Sequence, residues 1–370
     1  MSNAISTSNR LISLDALRGF TIAGMIIVND PGSWSHVYPP LLHAEWNGIT
    51  PTDLVYPFFL FIVGVSIVLA YTKRLRKDPN LDKKPLYKKI FIRSLKIFGV
   101  GIFLALFPEF DFANLRIAGV LQRIAIVFLV SGLLFLTTDW RLQARIAGVV
   151  LVLYWLLMMY MPVPLIGEAV MEPGRNWAAW LDQVLLPGTM WQGTWDPEGI
   201  LSTFPAIVTG ILGLLAGRII ISDIPEERKV IRLFVYGFGL FVGGIVVSWF
   251  FPINKNIWSS SFTLVTGGLA ALGLATSYYV VDMLGHKRFT KIGIIFGANA
   301  ITIYVLAGMF PALLGLEIFG GESLHSLFYG GMVNAGIAPK FASLVYALVF
   351  TAILFIPAWW LYKKKIFIKL

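Results

Sequence analysis

Of the four histidines in this chain, only His43 sits among groups suited to acid–base chemistry. Asn29 and Asp30 precede it, and Glu45, Trp46, Asn47 and Asp53 follow it closely. An imidazole can take or give a proton near neutral pH, provided a neighbour fixes its tautomer. Asp53 or Glu45 could do that; either could instead simply cap the helix that starts there. The other three histidines are less well placed. His36 precedes a proline-rich bend ending at Pro40, His286 lies in a basic run, and His325 has no acid–base partner nearby in sequence.

A second tier of polar residues interrupts or borders apolar runs. Gln122 and Arg123 stand inside one run and Asn299 inside another, while Asn254, Lys255, Asn256 and Trp258 crowd the mouth of a third. Ionisable groups at membrane depth are costly and face a cavity or a partner. Asp196 and Glu198 precede a helix, where dipole compensation alone would explain them. Asp15 and Arg18 are three apart, the spacing of a plain ion pair on one helical face. The indoles of Trp46, Trp177, Trp180, Trp191 and Trp195 suit either an interfacial belt or a platform for the flat face of a sugar. The absence of cysteine excludes thiol nucleophiles, disulfides and cysteine-ligated metals. There is no serine nucleophile elbow, P-loop or spaced metal-ligand set. Gly237, Gly239, Gly243 and Gly244 lie within an apolar run, so they fit close helix packing rather than a dinucleotide fingerprint.

The elements that must position these residues are membrane helices. Apolar residues make up 57% of the 370 and charged residues only 14%, against roughly 45–50% and 25% in soluble domains. Apolar stretches run near 12–28, 53–72, 91–107, 115–137, 146–162, 199–221, 232–251, 259–281, 290–315 and 341–362. Most can cross a ~30 Å hydrocarbon layer, which needs roughly 20 residues. All 30 basic residues except Arg116, Arg123, Arg175, Lys255 and Lys340 fall in alternate connections or near the two termini, from Arg10 to Lys369. The positive-inside rule makes that side cytoplasmic. The net charge of +10 is thus a topology signal, helped by anionic lipid, and no sign of nucleic acid. The expected fold is all-α: one polytopic domain over 1–370, about ten transmembrane helices and both termini cytoplasmic. Outer segments 29–52, 163–198 and 316–340 would fold over a central cleft, opposite the basic loop 73–90. No internal repeat is evident, which disfavours inverted-repeat transporters.

Several runs then carry a resemblance. Ser13-Leu14-Asp15-Ala16-Leu17-Arg18-Gly19, Val28-Asn29, His43-Ala44-Glu45-Trp46-Asn47-Gly48 and Asp53-Leu54-Val55-Tyr56-Pro57-Phe58 resemble the start of the heparan-α-glucosaminide N-acetyltransferase family. Leu115-Arg116-Ile117 with Gly119-Val120-Leu121-Gln122-Arg123 is similar to that family's fourth helix. Asp196-Pro197-Glu198-Gly199-Ile200-Leu201, Pro252 to Ser259 and Gly297 to Tyr304 resemble its later motifs in the same order.

The resemblance implies transfer of acetyl from cytoplasmic acetyl-CoA to the amine of a glucosamine-type sugar across the membrane. His43 matches the family's active histidine, with Asn29 beside it. In a bacterial member the protein would sit in the inner membrane, its catalytic mouth on the periplasmic or external side. His43 would act as base while Asn29 or Asn47 donates to the oxyanion; alternatively, His43 itself carries the acetyl. The direct route is favoured because it needs no stable acyl-imidazole beside water. Asp196, Glu198 and Glu45 would bind the cationic sugar, with Trp46 or Trp195 stacking on it and Asn254, Asn256 and Trp258 at the same mouth. Arg123, Asn299, Arg116 and Arg18 would serve the cofactor; no metal is expected. The resemblance also suggests a homodimer, which no residue pattern requires. Two other readings stay open: a sugar or sugar-acid transporter using His43 and Asp53 as a proton relay, and O-acetylation of an envelope glycan.

Overall fold

The computed structural model describes residues 11–78, 80–319 and 321–368; Arg10 and Lys369 lie outside them. The described residues are overwhelmingly helical. In chain order the helices are α1 (Ile12–Asn29), α2 (Pro51–Lys77), α3 (Lys84–Leu106), α4 (Val120–Thr137), α5 (Trp140–Tyr160), α6 (Trp177–Leu185) and α7 (Ile200–Ile220). They continue with α8 (Glu226–Ser248), α9 (Ser260–Ser277), α10 (Thr290–Ala298), α11 (Ala300–Leu314), α12 (Leu324–Asn334) and α13 (Pro339–Lys363). Among the described residues, eight helices are long and apolar enough to cross a membrane, and α10 with α11 makes a ninth, bent by 79°. The tenth apolar stretch is also helical. It is α3, 23 residues long, with Lys84, Lys88, Lys89, Arg93 and Lys96 in its first part. Helices are the expected outcome, because lipid leaves every backbone group to be paired within its own segment. The protein is an all-α polytopic membrane protein.

Glycine decides how closely the helices approach. A Cβ on Gly19 of α1 would lie 1.7 Å from the Gly293 carbonyl oxygen of α10, and one on Gly64 of α2 would lie 2.0 Å from that of Gly210 in α7. Such contacts let backbones pack without an apolar driving force between helices. The central core joins Ile22, Tyr56, Leu60, Trp258, Phe262 and Phe350. Around it, α5 and α8 are peripheral and present exposed apolar stripes, among them Val152, Leu153, Leu156, Val235, Phe238 and Val242. In water that exposure would cost ~25 cal/mol per Å²; facing lipid it costs nothing.

Three elements depart from the pattern read in the sequence. The stretch expected from 115 becomes helical only at Val120, because Arg116 pairs in extended form with Gly188 of the outer segment. The run 290–315 is broken at Asn299, whose side-chain amide bonds the Ile366 carbonyl and whose oxygen accepts the Ile368 N–H. The outer segments are partly helical: 163–198 contains α6, and 316–340 contains α12 behind a short two-stranded hairpin.

Candidate active site

The site begins at the start of α2. Thr50 precedes Pro51 at the first helical position, and the Asp53 side chain accepts the Thr50 N–H at 2.9 Å. This reciprocal capping satisfies donors that every helix N-terminus leaves unpaired. The same Asp53 Oδ2 also accepts the Ala44 N–H at 3.1 Å and the Thr50 hydroxyl at 3.0 Å. The other oxygen, Oδ1, lies 2.7 Å from His43 Nδ1. The capping and tautomer-fixing roles are therefore both filled by Asp53, one oxygen for each. A carboxylate has no proton to give, so the shared hydrogen lies on Nδ1, and it is Nε2 that carries the lone pair of the neutral ring.

A distant segment completes the group. Gly48 N–H donates to the Ile253 carbonyl at 2.8 Å, with the Gly48 φ at +114°, a backbone state that glycine reaches without Cβ strain. The Asn254 side-chain amide donates to Asn47 Oδ1 at 3.2 Å, and that of Asn256 to the Glu45 carbonyl at 3.4 Å. These bonds bring Lys255 Nζ to 2.9 Å from His43 Nδ1 and 3.0 Å from Nε2. A nitrogen equidistant from both ring nitrogens cannot lie along either lone pair, so the ammonium rests on the imidazole face. It is 3.8 Å from Asp53 Oδ1. Burial pulls the Lys255 ammonium below its ordinary value, an effect opposed by Asp53 and Glu198. The His43 side chain remains 43% exposed.

Beside this trio lies an ionic cluster. Arg116 Nε and Nη2 each reach Asp196 at 2.7 Å, and Nη2 also reaches Glu198 Oε2 at 2.8 Å. Asp196 further accepts the Trp191 and Glu198 backbone N–H groups. Burial raises the Asp196 carboxyl, but the bidentate Arg116 outweighs it and holds the group below the usual carboxylate range. Dipole compensation before α7 falls instead to Asp182, which accepts the Ile200 N–H at 2.9 Å and is pushed up to about 6 by burial.

The other sequence candidates scatter. Trp195 is buried edge-on against Trp46, whose indole N–H is held by the Met171 carbonyl. Trp258 is sealed in the core, its indole N–H on Thr209 Oγ1. Neither Trp195 nor Trp258 presents an open stacking face, which corrects the expectation that they would border the sugar. Arg116 belongs to the ionic cluster and does not line the recess that holds Arg18 and Asn299. Arg123 is buried over Trp258 and donates to Ser202 and the Gly199 carbonyl, also away from the inner recess. Arg18 and Asn299 do meet, lining an inner recess of about 290 Å³ together with Ser66, Tyr71 and Arg93. Arg18 there bonds Ser66 at 3.0 Å and lies 3.4 Å from Asp15. Asn29 ends α1 in a separate outer recess with Asp30, and among the described residues no hydrogen bond joins it to His43. Sequence reasoning passed over Lys255 and Arg93 as site residues. The crowding of Asn254, Lys255 and Asn256 at one helix mouth was the signal for the first; nothing local marked the second.

Known proteins match this arrangement in sequence. A family model described as the heparan-alpha-glucosaminide N-acetyltransferase catalytic family covers residues 10–235. The heparan-alpha-glucosaminide N-acetyltransferase of Mus musculus is 28% identical over 424 residues, covering 99% of this chain and 61% of the relative. That of Homo sapiens is 29% identical over 420 residues, covering 98% of this chain and 60% of the relative. The chain thus spans about three-fifths of the length of these curated relatives. The matched region takes in His43, Asp53, Arg116 and Asp196, and the chain belongs to the heparan-alpha-glucosaminide N-acetyltransferase family.

Proposed function

We propose that the chain is a membrane acetyltransferase that moves acetyl from acetyl-CoA to the amine of a glucosamine-type sugar, with His43 as the general base. The observation that carries this reading is the His43–Asp53 pair, 2.7 Å apart and buried on the Asp53 side, in a chain of this family. Nε2 takes a proton from the attacking amine as nitrogen bonds to the thioester carbonyl carbon. Asp53 steadies the imidazolium so formed. The Lys255 ammonium, joined by the unbonded amide hydrogens of Asn47, faces the oxygen on which charge develops. When the carbon–sulfur bond breaks, His43 returns its proton to the departing thiolate.

Acetyl-CoA would enter from the inner recess, where Arg18 and Arg93 suit its negative charge and Asn299 and Tyr71 offer polar contacts. In a bacterial cell the protein would lie in the inner membrane, drawing on the cytoplasmic pool and opening its His43 mouth to the periplasm. Asp196, bound twice by Arg116, shapes the mouth more than it binds the sugar; Glu198 engages Arg116 through one oxygen only and faces Lys255.

The experiment uses purified protein in detergent with acetyl-CoA and glucosamine, following CoA release and the mass of the sugar in wild type and His43→Ala. Acetylated sugar made by the wild type and lost in the folded variant supports the reading. Turnover that survives His43→Ala removes His43 from the chemistry. Acetylation of N-acetylglucosamine in place of glucosamine would make the enzyme an O-acetyltransferase. Movement of unmodified sugar into vesicles without CoA release would make it a transporter. The mass of protein quenched without acceptor decides the route: an acetyl on His43 would replace direct transfer.

A further inference from the structure

The end of the bundle that carries His43 holds a second recess, of about 530 Å³, within the ~300–1,000 Å³ usual for ligand sites. Different parts of the chain wall it: Asn29 at the end of α1, Asp30 and Trp34 after it, His325 and Tyr329 of α12, and Tyr346 of α13. His43, Asp53 and Lys255 do not border it.

Asp30 faces both this recess and a smaller one of about 110 Å³ behind it. Among the described residues no hydrogen bond or ion pair engages its carboxyl, and burial pushes it up to about 7. A half-buried carboxyl without a partner gains from any cation that reaches it. The walls supply ring faces. Trp34 is 62% exposed and the His325 and Tyr329 rings are half-buried, while Tyr346, edge-on to His325 at 5.0 Å, and Phe350 are buried behind them. Polar edges remain beside them. His325 Nε2 donates to the Gly32 carbonyl at 2.9 Å, which leaves Nδ1 as an acceptor, and the Tyr329 hydroxyl is 3.2 Å from His36 Nδ1. An unpaired acid, ring faces and polar edges together fit an amino sugar.

The charge on Asp30 says which amino sugar. An amine about to be acetylated must give up its proton, and a carboxylate beside it would hold it as ammonium. Asp30 therefore suits an amine that is not reacting. We propose that this recess is a subsite for a second, non-reacting amino-sugar unit, so that the preferred acceptor is an oligosaccharide carrying more than one free amine. This rests on the acetyltransferase reading and extends it to the class of acceptor.

The test compares KM for glucosamine with KM for the β-1,4-linked glucosamine disaccharide, in wild type and Asp30→Asn, at saturating acetyl-CoA. The wild type is expected to favour the disaccharide about tenfold, which corresponds to ~1.4 kcal/mol. In Asp30→Asn the ratio of the two KM values falls to about one, and Trp34→Ala narrows it independently by removing a ring face. A wild type without preference overturns the subsite. A substitution that weakens both acceptors alike also overturns it, because Asp30 would then serve the reacting unit. Calorimetric binding of the disaccharide and of its N,N′-diacetyl form, without acetyl-CoA, keeps the two readings apart. Wild type should bind only the free-amine form, and Asp30→Asn should lose that discrimination. Failure of turnover with this result intact would sink the acetyltransferase reading and leave the subsite; equal binding of both forms would sink the subsite.

Discussion

Asp30 and Asp53 stand at opposite ends of one loop and live in opposite surroundings. Asp53 is fully buried, with one oxygen accepting three donors from Ala44 and Thr50 and the other bonded to His43. Asp30 is half-buried, lines two recesses and has no bonded partner among the described residues. The same side chain is a fixed strut in one place and a vacant acceptor in the other. Partners decide this, not residue type: a carboxylate saturated by the protein can orient a neighbour, while one left unsatisfied is available to a ligand.

The largest effect should come from emptying the saturated end. Asp53→Ala leaves two backbone N–H groups and an imidazole N–H without their acceptor, while the Thr50 hydroxyl keeps the Leu42 carbonyl. Turnover is expected to fall about 10²–10⁴-fold, and stability by about 3 kcal/mol, read from CoA release and from thermal unfolding in detergent. Asp53→Asn sharpens the point. Its amide oxygen can still accept at the helix start, so much of the stability returns, while the amide nitrogen cannot accept from Nδ1 and turnover stays low. Recovery of turnover in Asp53→Asn would break the claim that Asp53 sets the tautomer.

Lys255 is next. If its ammonium meets the developing oxyanion, Lys255→Met should lower kcat about 10²-fold with little change in the acceptor KM. Lys255→Arg should restore part of it. A variant that changes only KM would make Lys255 a substrate contact and leave Asp53 as the only tuner of His43.

The two ends also differ in how far the sequence exposed them. His43 and Asp53 are ten positions apart around a Thr-Pro helix start, so their pairing was legible from local spacing, and the apolar runs announced ten helical stretches. Lys255 reaches His43 across 212 positions, and Arg116 reaches Asp196 across 80. No periodicity encodes such meetings; they follow from how α2, α4, α7 and α9 pack. The vacancy around Asp30 depends on α12 and α13, more than 290 positions away, and α12 lies inside a segment that read as a loop. The break at Asn299 was invisible because its cause, the bonds to Ile366 and Ile368, lies in the C-terminal tail. Trp195 and Trp258 misled for the same reason, since an indole in a polar motif looks the same in sequence whether its face is open or packed.

A pH series tests the vacant end more gently. Asp30 titrates near 7 in the folded protein against an ordinary 3.8, so the folded state binds its proton more tightly than the unfolded one. The sign follows: stability falls as pH rises from about 4 towards 7, where the unfolded chain has released the proton and the folded one has not. Asp30→Asn should therefore raise the midpoint of thermal unfolding at pH 8 by a few degrees and leave it unchanged at pH 4. His325, Tyr329, Tyr346 and Tyr304 line the same recesses and His36 lies against Tyr329, so His325→Gln and His36→Gln controls should leave the difference between the two pH values in place. Equal unfolding midpoints for wild type and Asp30→Asn at pH 8 would show that Asp30 is not strained by burial. The comparison with Asp53 would then lose its basis.

The smallest effect belongs to the third carboxylate of the loop. Glu45 lies two residues from His43, but it is exposed, and among the described residues only its backbone carbonyl is tied down, by Asn256. A solvated charge contributes little to binding, about 0–1 kcal/mol even when paired. Glu45→Ala is thus expected to change KM for glucosamine less than about threefold and to leave kcat alone, with whatever change appears shrinking as salt rises. A KM increase of tenfold or more that persists at high salt would mean that the sugar covers Glu45 and desolvates it. The reacting unit would then be held by an acid on the His43 side of the loop, and Asp30 would remain the contact for the unit that does not react.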